Sequence, residues 1–309
     1  MPRKPVSGGW RCGWRCGGLS PPSIREWSGL VTCGSVRSRR LRRASQGEII
    51  MARTVPVRAA AVSGVVVALL VGAPACGASA GDDKDPEHRS FALHGRTLTV
   101  DSDGSALDLV VADSAEASGK VEVTRWFRGP VVVGGDPRVT WAMEDGDRLV
   151  LRMKCSGVVA DCSARHRIVV PPGVAVTVKD GDGAVSARGF KEALSIRTAD
   201  GSVRVADSSG ALDLRSGDGA IRALGVDSRR VRVRTQDGSV RLELGVVPDL
   251  VESRSQDGSV TIELPRDAYR VATESGDGAV EVSVPRDPAS SHVVSAHTND
   301  GKITVRTAN

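Results

Sequence analysis

From about residue 171 to the C-terminus, apolar and polar positions alternate in short runs, and one corner keeps interrupting them. The corner reads Asp-Gly, a small or polar residue, then Val or Ile. It occurs as Asp182-Gly183, Asp200-Gly201, Asp218-Gly219, Asp237-Gly238, Asp257-Gly258, Asp277-Gly278 and Asp300-Gly301, with spacings of 18, 18, 19, 20, 20 and 23 residues. Three residues after each Asp stands a β-branched residue (Val185, Val203, Ile221, Val240, Val260, Val280, Ile303). The next position is polar in every repeat, and the one after that is apolar. Ahead of each corner, pairs such as Val176 and Val178, Leu194 and Ile196, and Leu212 and Leu214 alternate with polar residues. Alternation with period two marks half-buried strands. Each period therefore holds two strands, and a fixed period near 20 residues marks a repeat architecture.

The pattern predicts an all-β repeat fold, a β-solenoid resembling a parallel β-helix, in which each period is one coil stacked on the last. The alternative is an antiparallel meander or sandwich in which each Asp-Gly is a hairpin turn. The register favours the solenoid, because it places like residues above one another in ladders. The Gly is expected to supply a positive φ at the corner. Pro265 and Pro285 predict longer corners late in the chain.

Residues 91–170 are rich in strand patterns but lack the clean repeat, and read as an N-terminal β cap. Asp145-Gly146 reads there as one more corner of the same type. Trp126, Phe127 and Trp141 fall in this part and are expected to plug the open end of the solenoid, as terminal repeats are atypical. The competing reading is a platform for stacking a sugar ring. His166, just before the Ile168–Pro172 run, reads as a strand-edge residue.

Charge changes the picture once it is located. The chain has 42 Lys and Arg against 37 Asp and Glu. Residues 1–50 hold ten of the bases and two of the acids, and residues 51–75 add two arginines, so the part from Cys76 onward is net acidic. A nucleic-acid partner is not supported. Residues 1–50 show no periodicity and read as a non-native extension or a disordered segment. Ser45-Gln46-Gly47-Glu48 just before Met51 is compatible with a purine-rich ribosome-binding run in the gene, which would make Met51 the start. Residues 51–75 then read as a secretory signal: Arg53 and Arg58, an apolar run from Ala59 to Val71, and small residues up to Cys76. The run is shorter than the ~20 residues of a spanning helix. Cys76 resembles the lipidated cysteine of a bacterial lipobox, with Ala73 where Leu is usual. Ordinary cleavage after Ala78-Ser79-Ala80 is the alternative. Residues 76–90, small and acidic, read as a disordered tether. The product is expected to be exported, either held on the membrane by its lipid and facing outward, or secreted.

In an exported protein Cys155 and Cys162 read as a disulfide. Cys12, Cys16 and Cys33 have no companions that would complete a zinc site.

The signal, the Cys-x6-Cys before Arg167-Ile168-Val169-Val170-Pro171-Pro172, and the Asp-Gly-Ser-Val repeats resemble the bacterial "putative adhesin" family of β-strand-repeat surface proteins. The resemblance covers about residues 91–309. It implies a solenoid-like domain at the cell envelope, and it brings no catalytic residues with it. Some relatives are tied to envelope-stress signalling.

Candidate chemistry lies in the ladders. Three residues before the turn aspartates stand Lys179, Arg197, Arg215, Arg234 and Arg254, followed by Glu274 and His297. Stacked in register, the five cations form a row that would either be neutralised by the adjoining aspartate ladder as surface ion pairs or dock an anionic polymer. Calcium at the aspartates is disfavoured, since one or two carboxylates per corner is thin coordination. No metal and no cofactor is expected. The catalytic motifs sought, G-x-S-x-G, H-E-x-x-H and a phosphate loop, are absent, and the repeats carry only Phe190 and Tyr269 as aromatics, which argues against a carbohydrate-active enzyme. The expected partner is an envelope polymer or, in the alternative reading, a membrane protein through which the chain acts as an envelope-stress sensor.

Overall fold

The computed structural model describes residues 80–113, 119–129, 131–160 and 162–308. Cys76, the signal and residues 1–50 lie outside the described residues.

The strands run in chain order as β1 (Glu87–Ala92), β2 (Thr97–Ser102), β3 (Ala106–Val111), β4 (Lys120–Arg128), β5 (Val131–Gly134), β6 (Arg138–Glu144), β7 (Arg148–Lys154), β8 (Gly157–Ala160) and β9 (Ser163–Val170). The repeats follow as β10 (Ala175–Asp180), β11 (Val185–Arg188), β12 (Leu194–Thr198), β13 (Val203–Ala206), β14 (Leu212–Arg215), β15 (Ile221–Val226), β16 (Arg230–Arg234) and β17 (Val240–Leu244). The chain ends through β18 (Leu250–Arg254), β19 (Val260–Leu264), β20 (Arg270–Ser275), β21 (Val280–Val282), β22 (Val293–Thr298) and β23 (Ile303–Thr307).

Two long sheets result. Sheet A has the order β1-β4-β9-β3-β11-β13-β15-β17-β19-β23-β21, and sheet B the order β20-β22-β18-β16-β14-β12-β10-β2-β7-β6. Successive repeats pair in parallel and in register, as in Val178 beside Ile196 and Val185 beside Val203. This is the solenoid, not the sandwich of hairpins. The inward rows, including Val178, Ile196, Leu214 and Val233 from sheet B and Val205, Ala223, Leu242 and Ile262 from sheet A, are fully buried in one continuous core. Each buried Val, Leu or Ile of these rows contributes ~1.5–3 kcal/mol.

Five of the seven repeat corners are fastened by a hydroxyl two residues before the Asp, buried in four of them and half-buried at Ser275. Thr198, Ser216, Thr235, Ser255 and Ser275 each accept the amide of the turn Gly, at 2.9–3.2 Å. The same hydroxyls donate to a glycine carbonyl of the neighbouring coil: Thr198 to Gly181 (2.7 Å), Ser216 to Gly201 (3.0 Å) and Ser275 to Gly301 (2.9 Å). One side chain thus closes its own turn and links two coils. Thr235→Val keeps the shape and strands the Gly238 amide. It is expected to lower stability by ~1–3 kcal/mol, read as a lower urea midpoint with unchanged slope.

The turn glycines serve a purpose other than the expected one. None of the seven is at positive φ. A Cβ on Gly201 would stand 1.9 Å from the carbonyl oxygen of Gly183, and one on Gly219 would stand 2.1 Å from that of Gly201. The residue is required because coils approach backbone to backbone. Asp145-Gly146 is the reverse case. Both residues have positive φ (54° and 77°), and they close the antiparallel β6–β7 hairpin, so this is not a coil corner.

The order of coils departs from the order of the sequence at both ends. β2 and β3 form a true coil, lying directly against β10 and β11. The stretch read as a cap therefore contributes a repeat, with β7 and β9 stacked beyond it. At the other end, β22 and β23 insert between the β18/β19 coil and the β20/β21 coil. The corner of Asp300 thus lies next to that of Asp257, and Asp277 is outermost. The last strand of the chain is held on both sides instead of forming an edge.

The tether is shorter than expected. Glu87–Ala92 is strand β1, paired antiparallel with the edge of β4. At this end the sheets are covered by antiparallel strands. Trp141 of β6 is 6% exposed and packs against Phe91 and His166, with the Arg125 guanidinium 4.5 Å from its ring centre. It closes the core there and is not a sugar platform. His166 is not an edge residue: it lies in β9, between β3 and β4, and is fully buried. Burial, aided by Arg125, lowers its pKa to about 4. Cys155 and Cys162 form the expected disulfide, with Cα atoms 6.2 Å apart. At the far end Tyr269 is fully buried and donates its hydroxyl to the Pro265 carbonyl (2.8 Å).

Candidate anion-binding face

The parallel register brings Lys179, Arg197, Arg215, Arg234 and Arg254 into one row on the outer face of sheet B, one residue per strand. Neighbouring strands lie ~4.8 Å apart, so the row is a line of like charges that repel unless compensated. The row continues to His297 and ends at Glu274, which meets His297 at 3.4 Å. At its other end Lys179 faces Asp101 across the strands. That carboxyl is already engaged by Arg148 and Arg152. Burial alone would raise its pKa, but these two hydrogen bonds outweigh burial and hold it below the usual range.

Compensation within the row is uneven. Arg215 binds Asp213 at 2.9 Å. Glu252 gathers Arg254, Arg232 and Arg234 at 3.2, 3.5 and 3.6 Å. Among the described residues, Lys179 and Arg197 are exposed and make no ion pair. The expectation that the turn aspartates neutralise the row is not met. Asp182, Asp200, Asp218, Asp237 and Asp257 are exposed and form no ion pair with it among the described residues. They sit on the corners, where the chain turns out of the sheet and carries their carboxylates off the row. No group of three or more acidic, His or Cys side chains able to hold a metal occurs among the described residues.

A shallow groove of about 310 Å³ crosses the same strands beside the row. Thr99, Thr177 and Ser195 line it, with Asp213 and Arg232 at one end. Its hydroxyls face outward next to the free cations. Sequence reasoning did not place Arg232 and Glu252 here. They stand two residues ahead of the row on their strands and alternate in sign from strand to strand, a signal that the corner motif overshadows.

Among the described residues, three buried acid-base groups have strongly shifted pKa values, His166, Asp180 and Tyr269, whose hydroxyl burial pushes up to about 12, and all three belong to the packing. Asp180 occupies the slot that holds a hydroxyl in the other repeats. Burial pushes its pKa up to about 6. The Ser102 hydroxyl and the amides of Gly183 and Gly104 lie close to it, none in full hydrogen-bonding geometry.

The molecule is thus an all-β solenoid of two mostly parallel sheets with a basic row on one of them. The chain belongs to the Toastrack DUF4097 family, whose profile matches residues 138–307. It is similar in structure to a "putative cell adhesion protein" from Clostridium sporogenes (10% identity, 72% of this chain and 100% of that chain, TM-score 0.35). It is also similar to a "putative adhesin" from Bacteroides fragilis (13%, 75% and 100%, TM-score 0.37) and to one from Parabacteroides merdae (11%, 75% and 99%, TM-score 0.34). No curated protein matches the chain.

Proposed function

We propose that this is an exported, lipid-anchored and non-catalytic binding module of the cell envelope, whose basic row docks an anionic envelope polymer. The observation that carries this reading is the in-register row in which, among the described residues, Lys179 and Arg197 have no carboxylate partner. A linear polyanion can lie across the strands and meet one cation per coil, beside a floor of Thr and Ser hydroxyls. The binding is a sum of small electrostatic terms, so it is salt-sensitive. Cys76 would be the anchor, with only a few residues of tether between it and Ala80, which is buried against the fold. The corners supply a rigid spacing and no reacting groups.

The test is co-sedimentation of the protein with purified cell walls, with and without their anionic polymers, over a salt series. Binding is expected to fall with salt, to need the polymer, and to weaken on the order of thirtyfold in K179Q/R197Q, at ~1 kcal/mol per cation. Equal binding of the variant and the wild type would overturn the assignment to the row. No binding at all would shift the reading to a membrane-protein partner.

A further inference from the structure

Sheet A carries a second cationic feature, on the opposite side of the core from the row. Arg204 of β13 lies directly across from Arg222 of β15, and Arg222 across from Arg241 of β17. Arg241 is satisfied by Glu263 at 3.0 Å, and the same carboxylate, itself nearly buried, holds Arg306 at 2.9 Å. Arg188 meets Asp207 at 3.6 Å. Among the described residues no carboxylate pairs with Arg204 or Arg222, so two exposed guanidinium groups face each other at strand spacing with their repulsion unrelieved. Between them and the next strand is a notch of about 90 Å³ lined also by Ser186 and Ser202.

We propose that Arg204 and Arg222 bind a phosphate-class oxyanion in this notch. A tetrahedral oxyanion offers oxygens to two guanidinium forks at once, a geometry that arginine satisfies better than lysine. The Ser186 and Ser202 hydroxyls are the further donors at hand. The anion cancels the repulsion between the pair, so occupancy stabilises the fold. The site does not depend on the sheet B row. A chain engaged on both faces would link two anionic strands.

The test uses inorganic phosphate as the probe, titrated against chloride at matched ionic strength, with the melting temperature followed for three proteins. Wild type is expected to show a saturable rise above the chloride series. K179Q/R197Q is expected to keep that rise. R204Q/R222Q is expected to lose it and, in chloride, to melt no lower than wild type. An equal rise in all three proteins would mean general salting-out stabilisation and overturn the site. A rise lost only in K179Q/R197Q would overturn it too, while favouring the sheet B row. If R204Q/R222Q does not fold, R222Q carries the test with the same outcomes.

Discussion

Gly238→Ala is expected to destabilise the protein by on the order of 3 kcal/mol or more, enough to remove most folded material at 37 °C. The new methyl would stand 2.1 Å from the carbonyl oxygen of Gly219, 2.6 Å from its carbon and 2.7 Å from the Thr235 hydroxyl. None of these atoms can withdraw cheaply. The Gly219 carbonyl lies between two coils held in register on both sheets, and Thr235 is fixed by its bonds to Gly217 and Gly238. Relief requires two coils to part, which breaks strand pairing and opens the core between Leu214 and Val233. Gly135→Ala is the control. Its Cβ would meet only the Ser156 hydroxyl, at 3.7 Å, so a change within ~0.5 kcal/mol is expected. Circular-dichroism melts of the two variants beside wild type make the comparison. A Gly238→Ala protein that melts within a degree or two of wild type would show that the coils do not approach as closely as described.

Asp180→Thr should move stability the other way, and only over part of the pH range. The other repeats put a hydroxyl in this slot, which accepts from its own turn and donates to the next coil. An ionised carboxylate can only accept. Burial accordingly raises the Asp180 pKa from 3.8 to about 6. Because the folded-state value lies above the unfolded one, the folded chain holds a proton that the unfolded chain releases between about pH 4 and 6. The contribution of this group is fully present below pH 4 and is lost as pH rises through 6. Threonine removes the titration and restores the donor. The gain is expected to be ~1–3 kcal/mol at pH 7–8 and to shrink towards zero near pH 4. Urea midpoints for both proteins at pH 4, 5, 6 and 7.5 measure it. A gain that is the same at every pH would show that packing, not the proton, is responsible.

The coil itself was legible in the residues. Leu194, Ile196, Val203 and Val205 fix two strands and their inward faces, and the constant offset from Asp-Gly fixes which residue stacks on which. That offset was enough to put Lys179 above Arg197 and Arg197 above Arg215, because a parallel solenoid in register has no other freedom. The N-terminal coil was hidden for a local reason. Asp103-Gly104 sits one residue out of step, so that Ser105, not Gly104, meets Gly183, and Leu107 is the residue that faces Val185. The β4 to β9 excursion then separates this coil from its neighbour in sequence.

The corner motif also concealed its own cause. A sequence cannot distinguish a glycine required for positive φ from one required because another backbone passes too close to leave room for a Cβ. Nor does it show which partner a surface arginine takes, since Glu252 reaches Arg232 and Arg234 only once β16 lies beside β18.

What the sequence determined by itself is periodic and local: the two-strand repeat, the alternation that sets the inward face, the hydroxyl two residues before six of the seven corner aspartates, and the register of the ladders. What only the tertiary structure decided is the order in which the end coils stack and the pairing of charges across strands. The physical reason is that every coil presents nearly the same edge. The local pattern is satisfied equally well by either neighbour, and the choice falls to contacts between residues far apart in the chain, such as Val260 with Ile303 and Leu107 with Val185.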